Sequence, residues 1–159
     1  MEVKFGFWNK YKNKMKVAIA SDHAGFELKE KIKIFFSNKI QIFDLGTNSN
    51  DSVDYPDFAF ELSKEIANKK FDFGVLICGS GIGMSIVANK INGIRAAVCT
   101  NTELAKLSRL HNNANILCIG ARFTTFEEAK NMIEIFLNTT FEEGRHTRRV
   151  EKIHSLTNC

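Results

Sequence analysis

A chain of 159 residues, 44% hydrophobic and 25% charged, has room for one domain and the composition of an ordinary globular protein. One proline and ten glycines exclude a linker-rich chain. The formal charge of +4 lies mostly in the first fourteen residues, where Lys4, Lys10, Lys12 and Lys14 stand against Glu2; the remainder, at +1, lacks the basic stripe of a nucleic-acid binder.

That opening stretch, MEVKFGFWNKYKNK, holds no continuous apolar segment, so neither a secretory signal nor a membrane span is expected. Residues 1–14 read as a basic, disordered extension ahead of a single domain at 15–159. From Lys16 the pattern alternates. Val17–Ala20 predicts a first strand, and Leu28, Ile32, Phe35 and Phe36 share one face of the helix after it. Ile40, Ile42 and Phe43 predict a second strand ending near Asp44–Gly46. Pro56 suits the first turn of a helix, in which Phe58, Leu62 and Ile66 recur at helical spacing. Gly74–Ile77 is a third strand, Met84–Ile91 a helix and Ile94–Cys99 a fourth strand. Leu104, Leu107 and Leu110 mark the next helix, and Ile116–Ile119 the fifth strand. Thr125 caps a helix with Glu127 and Glu128 in its first turn, and a last helix begins near Arg145. Strands this short and continuously apolar are buried on both faces, so the fold class is α/β, a five-stranded parallel sheet with helices on both sides.

In such sheets ligands bind outside the carboxyl ends of the strands. That rule selects Ser21–Gly25 after the first strand, Asp54–Asp57 after the second and Cys78–Gly83 after the third. The loop Gly79-Ser80-Gly81-Ile82-Gly83 runs straight into a helix, so its free amides point at whatever binds there. It is not a dinucleotide fingerprint, because Met84 stands where the third glycine belongs. Nor is it a GxSxG elbow or a C-x5-R phosphatase loop, since Cys78 replaces the first glycine and Met84 the arginine.

Cys78, Cys99, Cys118 and Cys159 form no CxxC pair and no zinc-spaced Cys/His run, so no metal is expected, and single thiols of this kind fit the reducing cytoplasm. Only Cys78 lies at a strand's carboxyl end beside an amide-rich loop. A free thiol is about 3% ionised at neutral pH, and half ionisation requires roughly 2 kcal/mol of stabilisation, within reach of partly buried helix-end donors. His111 and Asn112 close the fourth helical segment. Arg145 and Arg149, four apart, share a helix face as two forked cations suited to a phosphate, and Arg122 follows the fifth strand.

SDHAGFELK at Ser21–Lys29, DYPDFA at Asp54–Ala59, LICGSGIGMSIVANKINGIRAAVC at Leu76–Cys99, LSRLHNNANILCIGAR at Leu107–Arg122 and EGRHTRRVEKI at Glu143–Ile153 together resemble the type B ribose-5-phosphate isomerase family. That family includes galactose- and allose-phosphate isomerases. The resemblance implies a Rossmann-like three-layer fold and a homodimer, or a dimer of dimers, with active sites at the subunit interface. It implies Cys78 as the proton-abstracting thiol, Ser80 hydrogen-bonding the enediolate, and the amides of Gly79, Gly81, Ile82 and Gly83 as the anion hole. His111 matches the ring-opening acid/base and Asn112 a sugar contact. Asp22 and His23 match sugar and phosphate contacts, Tyr55 a pocket wall, and Arg122, Arg145 and Arg149 the phosphate site. Met84 stands where another branch carries a catalytic glutamate. The implied reaction is the interconversion of ribose 5-phosphate and ribulose 5-phosphate in the non-oxidative pentose phosphate pathway, with no cofactor. The alternatives are a six-carbon aldose phosphate as substrate, or a non-catalytic sugar-phosphate- or nucleotide-binding module.

Overall fold

A computed structural model describes residues 14–159, so the extension expected at 1–14 lies, apart from Lys14, outside the described residues. Five strands, β1 (Lys16–Ser21), β2 (Gln41–Asp44), β3 (Phe73–Cys78), β4 (Ala96–Val98) and β5 (Ile116–Gly120), form one sheet in the order β2-β1-β3-β5-β4. Every pairing is parallel. Six helices connect or follow them: α1 (Phe26–Phe36), α2 (Tyr55–Ala67), α3 (Ile82–Ala88), α4 (Thr102–Asn112), α5 (Phe126–Asn138) and α6 (Arg145–Thr157).

Alternation along the strands sorts the core into two layers. Val17, Ile19, Val75, Ile77, Leu117 and Ile119 pack under α1, α4 and α5, where Ile32, Phe36, Met132, Ile133 and Phe136 meet them. Ala18, Ala20, Leu76, Cys78, Ile116 and Cys118 face Ala59, Leu62, Met84 and Ala88 of α2 and α3 on the other side. Each of the larger buried side chains contributes roughly 1.5–3 kcal/mol. Thr125 caps α5 as expected, through a reciprocal box in which its hydroxyl accepts from the Glu128 amide and the Glu128 carboxylate accepts from the Thr125 amide.

Two expectations shift, and α4 adds a feature of its own. Only β1, β3 and β5 are covered on both faces; β2 and β4 are sheet edges, and their residues are partly exposed. α3 begins at Ile82, because Gly81 at φ +78° turns the chain into it, and it ends early, because the Asn89 side chain exchanges two hydrogen bonds with the backbone of Ala96. α4 buries Ala105, Ser108 and Arg109 against the core, not its leucines: Leu104 is 45% exposed, and Leu107 and Leu110 are half-buried. Small residues let α4 approach the sheet closely, which turns the leucine stripe outward.

Candidate active site

The carboxyl edge of the sheet collects most of the expected residues. Cys78 ends β3 and is 4% exposed, and its Sγ accepts a hydrogen bond from the Gly81 amide at 3.2 Å. Of the other two strand cysteines, burial pushes the Cys99 thiol up to about 11, against a lowering hydrogen bond from Ser108, and burial raises Cys118 as well. Both are inert packing groups.

The Ser80 hydroxyl accepts from the Ile82 amide at 3.3 Å, which leaves its own proton free to donate. Arg122 is tied to the same loop, its amide donating to the Gly79 carbonyl at 3.1 Å. Its guanidinium lies over Gly79, where an added Cβ would sit 3.2 Å from Cζ. Gly83 packs on the Tyr55 ring so closely that a Cβ would come within 2.6 Å of it. A side chain at Gly83 would force the Tyr55 ring to move, whereas one at Gly79 would need the Arg122 guanidinium to give only slightly.

Asp22, buried, donates its amide to the Ile77 carbonyl and accepts the Gly25 amide on Oδ1 at 3.1 Å, which holds the turn after β1 beside β3. His23 accepts the Val53 amide on Nδ1 at 3.2 Å, so its neutral ring carries the proton on Nε2. A buried ammonium supports this edge from below. Lys29, fully buried, bridges Asp44 at the end of β2 and Glu30, and Lys33 joins both carboxylates. Burial alone would raise the Asp44 carboxyl, but hydrogen bonds from Lys29, Lys33 and the Gly46 amide outweigh it and hold the group below its ordinary value.

His111, Asn112, Arg145 and Arg149 lie elsewhere. Within a strand–helix–strand unit the helix runs back against the strands, so the last turn of α4 comes down at the amino edge of the sheet. Cys78 pairs with Gly120 at the end of β5, whereas Gly74 pairs with Ile116 at its start and donates to the Asn115 carbonyl. Four residue steps at ~3.3 Å separate the two levels by about 13 Å. One chain therefore does not bring His111 to Cys78.

At the amino edge Arg109, 7% exposed, staples the end of α4 through hydrogen bonds to the Thr139 and Ala114 carbonyls and the Asn113 side chain. Burial, then the charge of Arg95, push its guanidinium down to about 10. The His111 ring stacks on His146 of α6, with centroids 4.3 Å apart and planes 12° from parallel. Glu142 Oε2 stands 3.7 Å from His111 Nε2 and 3.9 Å from His146 Nε2, and Arg145 Nε donates to His146 Nε2 at 3.4 Å. Asn112 also lines a cleft of about 320 Å³ between β4 and α6, with Asn89, Ala96, Ile153 and His154. Sequence reasoning missed His146, Glu142 and Arg109; the one signal available was that His146 lies inside EGRHTRRVEKI, next to Arg145.

Comparison with known proteins agrees with this architecture. Residues 17–153 match the profile of the Ribose/Galactose Isomerase family. The chain is 42% identical to ribose-5-phosphate isomerase B of Escherichia coli over 142 residues, covering 89% of this chain and 95% of that one. A crystal structure of the ribose 5-phosphate isomerase of Thermotoga maritima superposes with a TM-score of 0.87 at 50% identity, covering 89% of this chain and 99% of that one. The Mycoplasma genitalium ribose-5-phosphate isomerase B, solved with bound ribulose-5-phosphate, superposes with a TM-score of 0.86 at 41% identity, covering 91% and 97%. Fold and likeness define the class: an α/β isomerase, not a passive binding module. Within that class, the chain belongs to the type B ribose-5-phosphate isomerase family.

Proposed function

We propose that the protein interconverts ribose 5-phosphate and ribulose 5-phosphate in the cytoplasm, as a homodimer whose active sites each combine the carboxyl edge of one copy with the amino edge of the other. The observation that carries the reading is the Cys78 sulfur, held against the Gly81 amide with the Ser80 hydroxyl and the Arg122 guanidinium on the same loop. The likeness to an isomerase holding ribulose-5-phosphate supports the five-carbon substrate. The shared interface is supported by α4 and α3. Leu104 and Leu107 share a helix face with His111, and Ile82 and Ile86 are 55% and 56% exposed, so apolar surface surrounds both half-sites. No helix of the described residues is long and apolar enough to cross a membrane. The cytoplasmic assignment rests on free thiols at all four cysteines.

His111 of the second copy moves a proton between the ring oxygen and the anomeric hydroxyl, opening the sugar, while its Asn112 holds a sugar hydroxyl. The Cys78 thiolate takes the proton from the second carbon. Negative charge then develops on the two oxygens of the cis-enediolate, where the loop amides not bonded to Cys78 and Ser80, together with the Ser80 proton, meet it; preorganised donors of this kind contribute about 3–4 kcal/mol each. Returning the proton to the first carbon gives the ketose. Arg122 from one side, and Arg145 and Arg149 from the other, neutralise the phosphate, and His23 donates a hydrogen bond to it from Nε2. Tyr55 walls the pocket and Asp22 holds its floor. Incubating the purified protein with ribose 5-phosphate in EDTA tests the reading: ketose should appear at undiminished rate, and a kcat/KM far higher on allose 6-phosphate would overturn the five-carbon assignment.

A further inference from the structure

We infer that His146 is a positioning residue for ring opening, a flat buried platform that fixes the plane in which His111 hands over its proton. The inference rests on the proposed role of His111. An imidazole at a helix end turns freely about its last torsion, whose wells are broad and roughly two-fold. His111 is about one-third exposed, so its own surroundings do not stop that rotation. The His146 ring does: it is 5% exposed, lies 4.3 Å away and 12° from parallel, and leaves His111 one plane to occupy. Glu142 then distinguishes the two ring edges, because its Oε2 faces Nε2 of both rings.

Two further observations support an uncharged platform. Arg145 Nε donates to His146 Nε2, so that nitrogen carries no proton and the neutral ring keeps its proton on Nδ1. Burial, then the charges on His111, Arg145 and Arg149, push His146 below its ordinary range, against Glu142 alone. A neutral ring stacks without repelling the imidazolium that His111 becomes during proton transfer. The same three groups lie within 4.8 Å of one another, close enough to suggest a shared cation. Parallel rings, however, aim their nitrogen lone pairs side by side and not at one point, so holding a tetrahedral metal would break the stack. The geometry favours a hinge pin over a ligand set.

The test separates ring opening from enolisation. Ribulose 5-phosphate has no closed furanose form, so loss of deuterium from its first carbon reports Cys78 chemistry alone. His146→Leu fills the buried space without a flat ring, and His146→Phe restores the plane without nitrogen. His146→Leu should slow ribose 5-phosphate turnover more than about tenfold through kcat, with KM and deuterium wash-out changed by less than about twofold. His146→Phe should recover most of the loss. The His111 ring protons, followed by NMR, should lose their ring-current shift in the leucine variant and keep one in the phenylalanine variant. Equal turnover in the two variants, or wash-out falling as far as turnover, would overturn the inference. Deuterium neither washed out to solvent nor carried to the second carbon of ribose 5-phosphate by the unaltered protein would instead sink the proposed isomerisation, which keeps the two failures distinct.

Discussion

The two edges of the sheet are built by different means. At the carboxyl edge each group is held by backbone: the thiol by a loop amide, Arg122 by the Gly79 carbonyl, Asp22 by the turn it caps. At the amino edge His111 stands at the end of a helix and is held by side chains, with His146 beneath it, Glu142 beside it and Arg109 stapling the turn behind. Backbone placement holds the proposed base and oxyanion cradle inside one chain. Side-chain placement leaves the proposed proton carrier on an outward face, where the proposed second copy would meet it. The division suits the chemistry, since abstraction from carbon demands preorganised donors while ring opening demands a group that exchanges protons.

The sharpest way to break this contrast is to disable each edge in turn. Cys78→Ala should lower isomerisation by about 10³ or more while sugar-phosphate binding, measured by calorimetry, persists. His111→Asn should slow closed-ring turnover by about 10² and spare deuterium wash-out from ribulose 5-phosphate. Refolding the two inactive variants together decides between shared and separate sites. Half of the random dimers then carry one intact site of two, so about a quarter of native activity should return. If mixing restores nothing, both edges serve one chain and the shared-site proposal fails.

A smaller effect tests the support beneath the carboxyl edge. Lys29→Met leaves Asp44 and Glu30 without their buried partner and should cost about 3 kcal/mol in urea unfolding. The pH dependence follows from Asp44. Its carboxyl is held below the ordinary value in the folded protein, so its contribution is complete above the unfolded pKa near ~4 and is lost as pH falls through the folded one. Lys29→Met should flatten that acid limb; an unchanged limb would show that Asp44 does not carry it. The smallest effect lies away from both edges. Thr125→Ala removes the α5 cap and should cost about 1 kcal/mol in thermal unfolding without changing turnover.

Much of this was legible in the chain itself. The apolar runs announced β1, β3 and β5, because a parallel strand buried on both faces cannot alternate with polar residues, and shorter apolar stretches marked the edge strands β2 and β4. Thr125 announced the cap of α5, because the chemistry of an N-cap is complete within four residues, and the structure adds Glu128 as its reciprocal partner. The Cys78–Gly83 loop was readable as a donor-rich cradle for the same reason: its geometry is local. Leu104 and Leu107 marked the helix correctly but not its buried face, since helical spacing reveals that a face is apolar but not whether the core or a partner covers it.

Sequence alone thus determined the elements, their order, and the thiol-and-amide loop at the end of β3, all features set by neighbours a few residues apart. The tertiary structure decided which edge each remaining group occupies. It carried His111 to the opposite end from Cys78 and brought His146, thirty-five positions later, flat against it. The reason is physical: a helix of fixed rise must return the chain across the full depth of the sheet, and contacts between distant turns depend on how those lengths close in space.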